Sequence, residues 1–249
     1  MQRGRIKLDL LVHDLKSPLA VIEAGTNSLL NRPDKFGSVT AKQTKVLKRI
    51  LRNAKITQML VDDTLELGRS REKKVCLRHF ALSNLIIYSL VELFDLNDYN
   101  TSQSLRKCSN LKKLNETLNE KDICLSINEK LWHQKILQDE KKIKQILRNL
   151  LSNALKYRKK TVELVVSKED DCLIIEVKDD GKGIPSIYHK KIFDCYFQVN
   201  SSEFCDVRGH GLGLAGALVL VEDMGGEMIL DSEEGEGANF LVRLPLMLS

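Results

Sequence analysis

The stretch N149-LLSNALK-Y157 decides how this sequence folds. Its polar members Asn149, Asn153 and Lys156 are spaced i, i+4 and i+7, so they share one face of a helix. Ile143, Ile146, Leu147, Leu150, Leu151 and Ala154 form the opposite stripe, the pattern of a helix anchored on a sheet. Asparagine is a poor helix former, and an ordinary solvated face would more readily carry Glu and Lys. Two carboxamide oxygens can ligate Mg²⁺, and an ammonium beside them can neutralise phosphate.

Two glycine-bearing stretches lie downstream. In DDGKGIP, residues 179–185, a β-rich run leads straight into Gly181 and Gly183, which allow a tight bend and a close approach to a planar ligand. The carboxylate of Asp179 can accept a hydrogen bond from an exocyclic amine. Asp-Gly is equally the chemistry of a hairpin turn, so this stretch alone leaves both readings open. In RGHGLGLAGALVLVEDMGG, residues 208–226, Gly209, Gly211 and Gly213 immediately precede a helix and offer unhindered N–H groups at its positive end, a natural phosphate cradle. Gly211, Gly213 and Gly216 also satisfy GxGxxG, with Asp231 about twenty residues on as a dinucleotide fold would want. That match is rejected: residues 200–208 are polar where a buried strand should feed the first glycine, and the sheet reads as hairpins instead of parallel βαβ units.

Those hairpins are Thr161 to Ser167 with Cys172 to Lys178, and Glu227 to Asp231 with Ala238 to Leu244; helices are expected over 140–157 and 212–224. The result is an α+β domain from about residue 78 to 249. Residues 97–121, rich in Asn, Ser and Lys, fit no period well and read as a partly helical insertion or mobile loop. Residues 1–72 are different. Helices over 4–30 and 40–70 carry apolar stripes (Ile6, Leu10, Leu11, Leu15, Leu19 and Ile22; Leu47, Ile50, Leu51 and Ala54), with a turn at 31–40 containing Pro33 and Gly37. Two helices cannot enclose a core, so a second copy is expected to complete a four-helix bundle. Residues 73–77 form a linker between the domains.

Taken in order, the three boxes resemble the asparagine box and two glycine boxes of histidine kinase ATPase domains, the Bergerat fold shared with gyrase-type ATPases. IFDCYFQV, with Phe193 and Phe197, resembles the family's phenylalanine box, and 186–208 its lid over the nucleotide. The resemblance implies that Asp179 recognises adenine, that Asn149 and Asn153 hold Mg²⁺, that Lys156 meets phosphate and that Tyr157 packs near the base. It also implies that Gly181 and Gly183 approach the ligand, that Phe197 belongs to the site and that Gly209, Gly211 and Gly213 line the triphosphate of ATP.

HDLKSPL, residues 13–19, resembles the dimerisation and phosphoacceptor box of sensor histidine kinases. Neutral imidazole is a competent nucleophile, and its ordinary pKa near 6.5 leaves it mostly neutral at physiological pH. The resemblance makes His13 the phosphoacceptor and Asp14 its orienting base; Pro18 removes a hydrogen bond to the Asp14 carbonyl and bends the helix beside it. Ser17 stands where relatives often carry Thr or Asn for dephosphorylating the partner, and its hydroxyl leaves phosphatase activity open. The implied partners are a second copy of the chain and the receiver domain of a response regulator, whose aspartate takes the phosphoryl group. Competing readings are a gyrase- or chaperone-like ATPase without phosphotransfer, and a catalytically silent nucleotide-binding scaffold.

Composition narrows the class. With 39 Lys and Arg against 34 Asp and Glu, the formal charge is +5, too small without a basic stripe to imply nucleic acid. The six cysteines show no CxxC pair and are read as cytoplasmic thiols. No apolar run is long enough to span a membrane and no signal peptide is evident, so this chain is expected in the cytoplasm, served by an upstream sensor segment or subunit that could tether the whole protein to a membrane.

Overall fold

The computed structural model describes residues 3–69, 75–198 and 211–246, with the side chains of 3–13, 63, 65–69, 96 and 97 left outside that description. The chain divides into two compact units, Met1–Arg69 and Ser70–Ser249.

The first unit is a helical hairpin of α1 (Arg3–Asn31), the single-turn α2 (Pro33–Phe36) and α3 (Ala41–Arg69). Pro33 begins α2, where a missing N–H costs nothing, and Gly37 closes it at φ +79° by donating its N–H to the Pro33 carbonyl at 2.8 Å. Thr40 and Gln43 then start α3 with a reciprocal cap. The Gln43 N–H donates to Thr40 Oγ1 at 3.2 Å, and the Thr40 N–H donates to Gln43 Oε1 at 2.8 Å. α1 remains helical across Pro18. Between the helices, Lys16 forms an ion pair with Asp62. Of the apolar stripes, Ala54 is buried, but Leu15, Ile22 and Ile50 are exposed, as are Val21 and Val46. That face is what a lone hairpin cannot cover.

The second unit is an α/β sandwich. Its sheet has the order β2 (Ile123–Ile127), β4 (Val162–Glu169), β5 (Cys172–Asp179), β7 (Gly237–Pro245) and β6 (Glu227–Glu233). β4–β5 and β6–β7 are the two expected hairpins, and β5 pairs antiparallel with β7. β2 corrects the expectation of a sheet made only of hairpins: it pairs parallel with β4, Ile123 opposite Val162, across a helical connection. The sheet is therefore mixed. Its edge strand is too short for alternation to declare it in sequence.

α4 (Leu82–Asn97), α8 (Glu140–Tyr157) and α9 (Gly213–Asp223) supply the helical layer, α8 packing against both others. The predicted stripe of α8 is buried throughout, none of its six members more than 3% exposed. Asp139 caps this helix, its Oδ1 accepting the Lys142 N–H at 3.2 Å, while its Oδ2 accepts the Cys76 N–H at 2.8 Å and ties the incoming chain to the same point. A two-stranded ribbon, β1 (Arg78–Ala81) with β3 (Lys135–Gln138), is joined to the main sheet by buried Gln138, whose Nε2 donates to the Pro245 carbonyl at 2.7 Å.

Of the two readings of residues 97–121, the structure agrees with the partly helical insertion and not with a loop. These residues hold α5 (Tyr99–Arg106) and α6 (Leu111–Asn119), joined by a short connection at 107–110, with α7 (Glu129–Trp132) following β2. Leu105, Leu114 and Leu118 are completely buried and join the main core. Asp98 caps α5, accepting the Thr101 N–H at 3.2 Å, and pairs with Lys121 at 2.8 Å to close the base of the insertion. The Lys121 ammonium and the Thr101 hydroxyl hold the Asp98 carboxyl well below the usual carboxylate range. Among the described residues no helix is long and apolar enough to cross a membrane, and no group of His, Cys, Asp and Glu is arranged to hold a metal.

Candidate functional site

The site is assembled from the C-terminal half of α8, the loop after β5, the turn between β6 and β7, and the start of α9. α8 places Asn149, Asn153 and Lys156 on the face away from its apolar stripe. Asn149 is 8% exposed; its Nδ2 donates to the Gly213 carbonyl at 2.9 Å, which fastens α8 to the first residue of α9 and leaves its carboxamide oxygen as the donor atom for a hard cation. Asn153 and Lys156 are partly exposed. The Lys156 ammonium lies 4.6 Å from the centre of the Tyr157 ring and donates to its hydroxyl at 2.9 Å, so the two side chains form one unit at the end of α8.

Asp179 ends β5 and is 6% exposed. Its Oδ1 accepts the Gly181 N–H at 2.8 Å. Burial pushes its carboxyl above the ordinary value, while the N–H groups of Gly181 and Ala238 oppose that rise. A buried carboxylate with remaining acceptor capacity suits a ligand that donates from an amine. Asp180 does something else. Its carboxylate accepts the N–H groups of Lys159 and Lys160, both at 2.9 Å, and is held down to about 2 chiefly by the Lys160 N–H. It shapes the turn after α8.

The glycines divide into two kinds. A Cβ on Gly181 would stand 2.3 Å from the Tyr157 carbonyl oxygen, and one on Gly183, at φ +67°, would stand 1.8 Å from the Glu233 oxygen. Both are required by neighbouring backbone, whatever binds beside them. Gly211, at φ +66°, is packed on the backbone of Tyr196, whose N–H donates to the Gly211 carbonyl at 2.8 Å. Gly213 is different: among the described residues its nearest prospective contact is the Asn149 side chain at 3.7 Å, an ordinary van der Waals distance. Gly209 and His210 lie outside the described residues.

The loop after β5 rests on a support that sequence reading missed. The β6–β7 turn was read only as a hairpin connection. The Gly235 N–H donates to the Lys182 carbonyl at 2.6 Å, and the Ile184 N–H donates to Ser232 Oγ at 2.9 Å, which in turn donates to the Gly237 carbonyl at 2.6 Å. The two glycines of that turn, at φ +97° and +90°, were its visible signal. Of the expected lid at 186–208, residues 186–198 are described, and they are docked on the core. Ile192 is buried, Phe193 meets Phe240 edge to face at 6.5 Å, and Phe197 meets Tyr188 at 5.7 Å. Residues 199–210 lie outside the described residues.

In the hairpin unit, His13, Asp14 and Ser17 fall within α1, Asp14 and Ser17 exposed at one turn's separation. The surroundings of the His13 side chain lie outside the described residues.

Comparison with known proteins agrees with both units. Residues 8–73 match the His Kinase A (phospho-acceptor) domain family, and residues 138–248 match the histidine kinase-, DNA gyrase B- and HSP90-like ATPase family. The chain is 31% identical over 237 residues to the circadian input-output histidine kinase CikA of Synechococcus elongatus, covering 94% of this chain and 29% of that protein. It is also 31% identical over 235 residues to the aerobic respiration control sensor protein ArcB of Escherichia coli, covering 93% of this chain and 27% of the relative. The chain thus spans less than a third of the length of these relatives. In fold it is similar to full-length ShkA, solved in complex with AMPPNP, at a TM-score of 0.64 and 24% identity over 98% of this chain and 46% of that one. A phosphoacceptor hairpin followed by an ATPase sandwich with its asparagine and glycine boxes in order, matched along nearly the whole chain, places this protein among the sensor histidine kinases, as their catalytic core.

Proposed function

We propose that the chain is an ATP-dependent protein-histidine kinase that phosphorylates its own His13 and passes the phosphoryl group to an aspartate on the receiver domain of a response regulator. The observation that carries this is the joining of α8 to α9 through Asn149 and Gly213, which sets the Asn149 carboxamide, and with it the helix face that also carries Asn153 and Lys156, against a helix N-terminus. In this reading residues 1–72 carry the acceptor, 73–77 link, and 78–249 bind ATP.

The donor set fits the nucleotide and its metal. Mg²⁺ is commonly held by one or two protein oxygens with the substrate phosphates completing its shell, and Asn149 and Asn153 supply two. Bound there, the ion would offset charge on the phosphates. Asp179 accepts a hydrogen bond from the adenine amine, Tyr157 packs by the base, Lys156 spreads charge on the transferring group, and the N–H groups from Gly211 and Gly213 onward face the phosphates, with Gly209 extending the same cradle. Gly181 and Gly183 hold the adenine loop in shape, and Phe197 anchors the segment that leads towards the glycine box. In the transfer, an N–P bond forms at the His13 imidazole, the bond from the γ-phosphorus to its bridging oxygen breaks, ADP leaves, and Asp14 accepts the ring proton; catalysis is mainly positioning and charge stabilisation. Ser17 would orient water if the phosphorylated partner is hydrolysed. The exposed Leu15, Val21, Ile22, Val46 and Ile50 support a homodimer joined through the hairpin.

Incubation of the chain with γ-labelled ATP and Mg²⁺ tests the proposal. Label that is acid-labile, base-stable and absent from His13→Ala is expected. ATP hydrolysis without protein label would point instead to a plain gyrase- or chaperone-like ATPase, and nucleotide binding without turnover to a silent scaffold.

A further inference from the structure

Lys142 and Asp223 form an ion pair at 2.8 Å with side chains only 10% and 7% exposed. The pair joins the first turn of α8 to the last residue of α9. Each charge sits at the wrong end of its own helix. An ammonium near the positive N-terminus of α8 and a carboxylate at the negative C-terminus of α9 both oppose the helix dipoles, and both are withdrawn from water. Neither residue suits its helix alone. A buried pair of this kind is a weak source of stability against an apolar replacement, and its best-attested use is to fix register.

The register in question is that of the two nucleotide helices. At the other end of the same contact, Asn149 Nδ2 bonds to the Gly213 carbonyl. The two tethers stand about 10 Å apart along α8 and about 15 Å apart along α9, at 1.5 Å rise per residue. Two directional bonds this far apart prevent α9 from sliding or swinging over α8, which apolar packing alone does not forbid. What the register sets is the position of the N–H groups at the start of α9 relative to Asn153 and Lys156.

We infer that the Lys142–Asp223 ion pair is a positioning pair, a pin remote from the ligand that holds the phosphate-binding end of α9 in register with the metal and phosphate ligands of α8. The inference rests on the nucleotide reading above. Two variants of the full chain test it. Lys142→Met/Asp223→Leu replaces the pair by apolar groups and should keep the fold, while Asp223→Asn leaves one charge buried and should lower the melting temperature. Binding of AMPPNP with Mg²⁺ and of adenosine alone is measured by titration calorimetry, and amide exchange at residues 213–215 is followed without ligand.

The pin predicts that the folded double variant loses roughly tenfold or more in AMPPNP affinity, as small misplacements in a site do. It predicts unchanged adenosine binding, because Asp179 is not tethered by the pair, and faster exchange at 213–215. A purely structural pair would leave both ligands and the exchange unchanged, or weaken both ligands equally, and either result overturns the inference. Wild type that binds neither ligand would refute the nucleotide reading itself, and exchange at 213–215 would still decide whether the pair holds the start of α9.

Discussion

Gly213→Ala tests the proposal that Gly213 is kept for a ligand, in contrast to glycines kept for the fold. Gly213 opens α9 without a positive φ, and among the described residues an added Cβ meets nothing closer than 3.7 Å. Folding should therefore tolerate alanine. In a helix interior this exchange is worth about 0.5–1 kcal/mol in alanine's favour, and at the first position a fraction of that, so the melting temperature should hold or rise by roughly 2 °C. The methyl would nevertheless stand beside the helix N–H groups proposed to meet phosphate, and AMPPNP should bind at least roughly tenfold more weakly, about 1.4 kcal/mol. Gly183→Ala is the control. There the left-handed backbone alone costs about 1–2 kcal/mol, and a Cβ 1.8 Å from the Glu233 oxygen forces the β6–β7 turn to move, for a total loss of about 3 kcal/mol or more. Thermal unfolding and calorimetric titration read both quantities. Gly213→Ala binding AMPPNP as tightly as wild type would refute the assignment of the phosphates to the start of α9.

Three further outcomes are expected. Burial raises the Asp179 carboxyl, so in the free protein its contribution to stability is fully present below its unfolded pKa and fades as pH rises through the folded one; an amine-donating ligand needs the ionised form. AMPPNP affinity should therefore fall as pH drops through that raised pKa, and a titration series should show Asp179→Asn losing this dependence along with preference for adenine over guanine nucleotides. Asn153→Ala, which leaves Asn149 as the one remaining protein oxygen donor, should make AMPPNP binding less sensitive to chelation of Mg²⁺ than wild-type binding is. Leu114→Ala, at a completely buried position of the insertion, should cost about 2–5 kcal/mol in denaturant unfolding, where an external loop would lose almost nothing.

The sequence was most legible where one signal governed many residues. Six apolar positions on α8 fixed its inner face, and the complementary face then delivered Asn149, Asn153 and Lys156 together. The two hairpins announced themselves through β-rich runs around polar turns. β1, β2 and β3 escaped because four or five residues carry too little alternation to tell a strand from a helix end. The insertion is partly helical, as one of its two readings has it, but its helices are hard to place from sequence for a different reason. Its Asn, Ser and Lys content dominated the impression, yet Leu111, Leu114 and Leu118 stand at i, i+3 and i+7, and Asp98 and Asn110 are both N-caps. Within the site, residue type showed which groups can bind, but not what already occupies them. That Asn149 spends its amide nitrogen on Gly213, that Gly181 and Gly183 are demanded by backbone neighbours and that Asp180 shapes a turn all depend on contacts between segments far apart in the chain.

The central claim is that the phosphoryl group of ATP arrives on His13. Brief reaction of the wild-type chain with ATP and Mg²⁺, digestion at neutral to alkaline pH and mass spectrometry of the peptides locate that group directly. A single phosphoryl group on the peptide containing His13, with fragmentation placing it on the imidazole, is the predicted result. ATP converted to ADP and inorganic phosphate with that peptide unmodified, or a phosphoryl group found on a serine instead, would contradict the account.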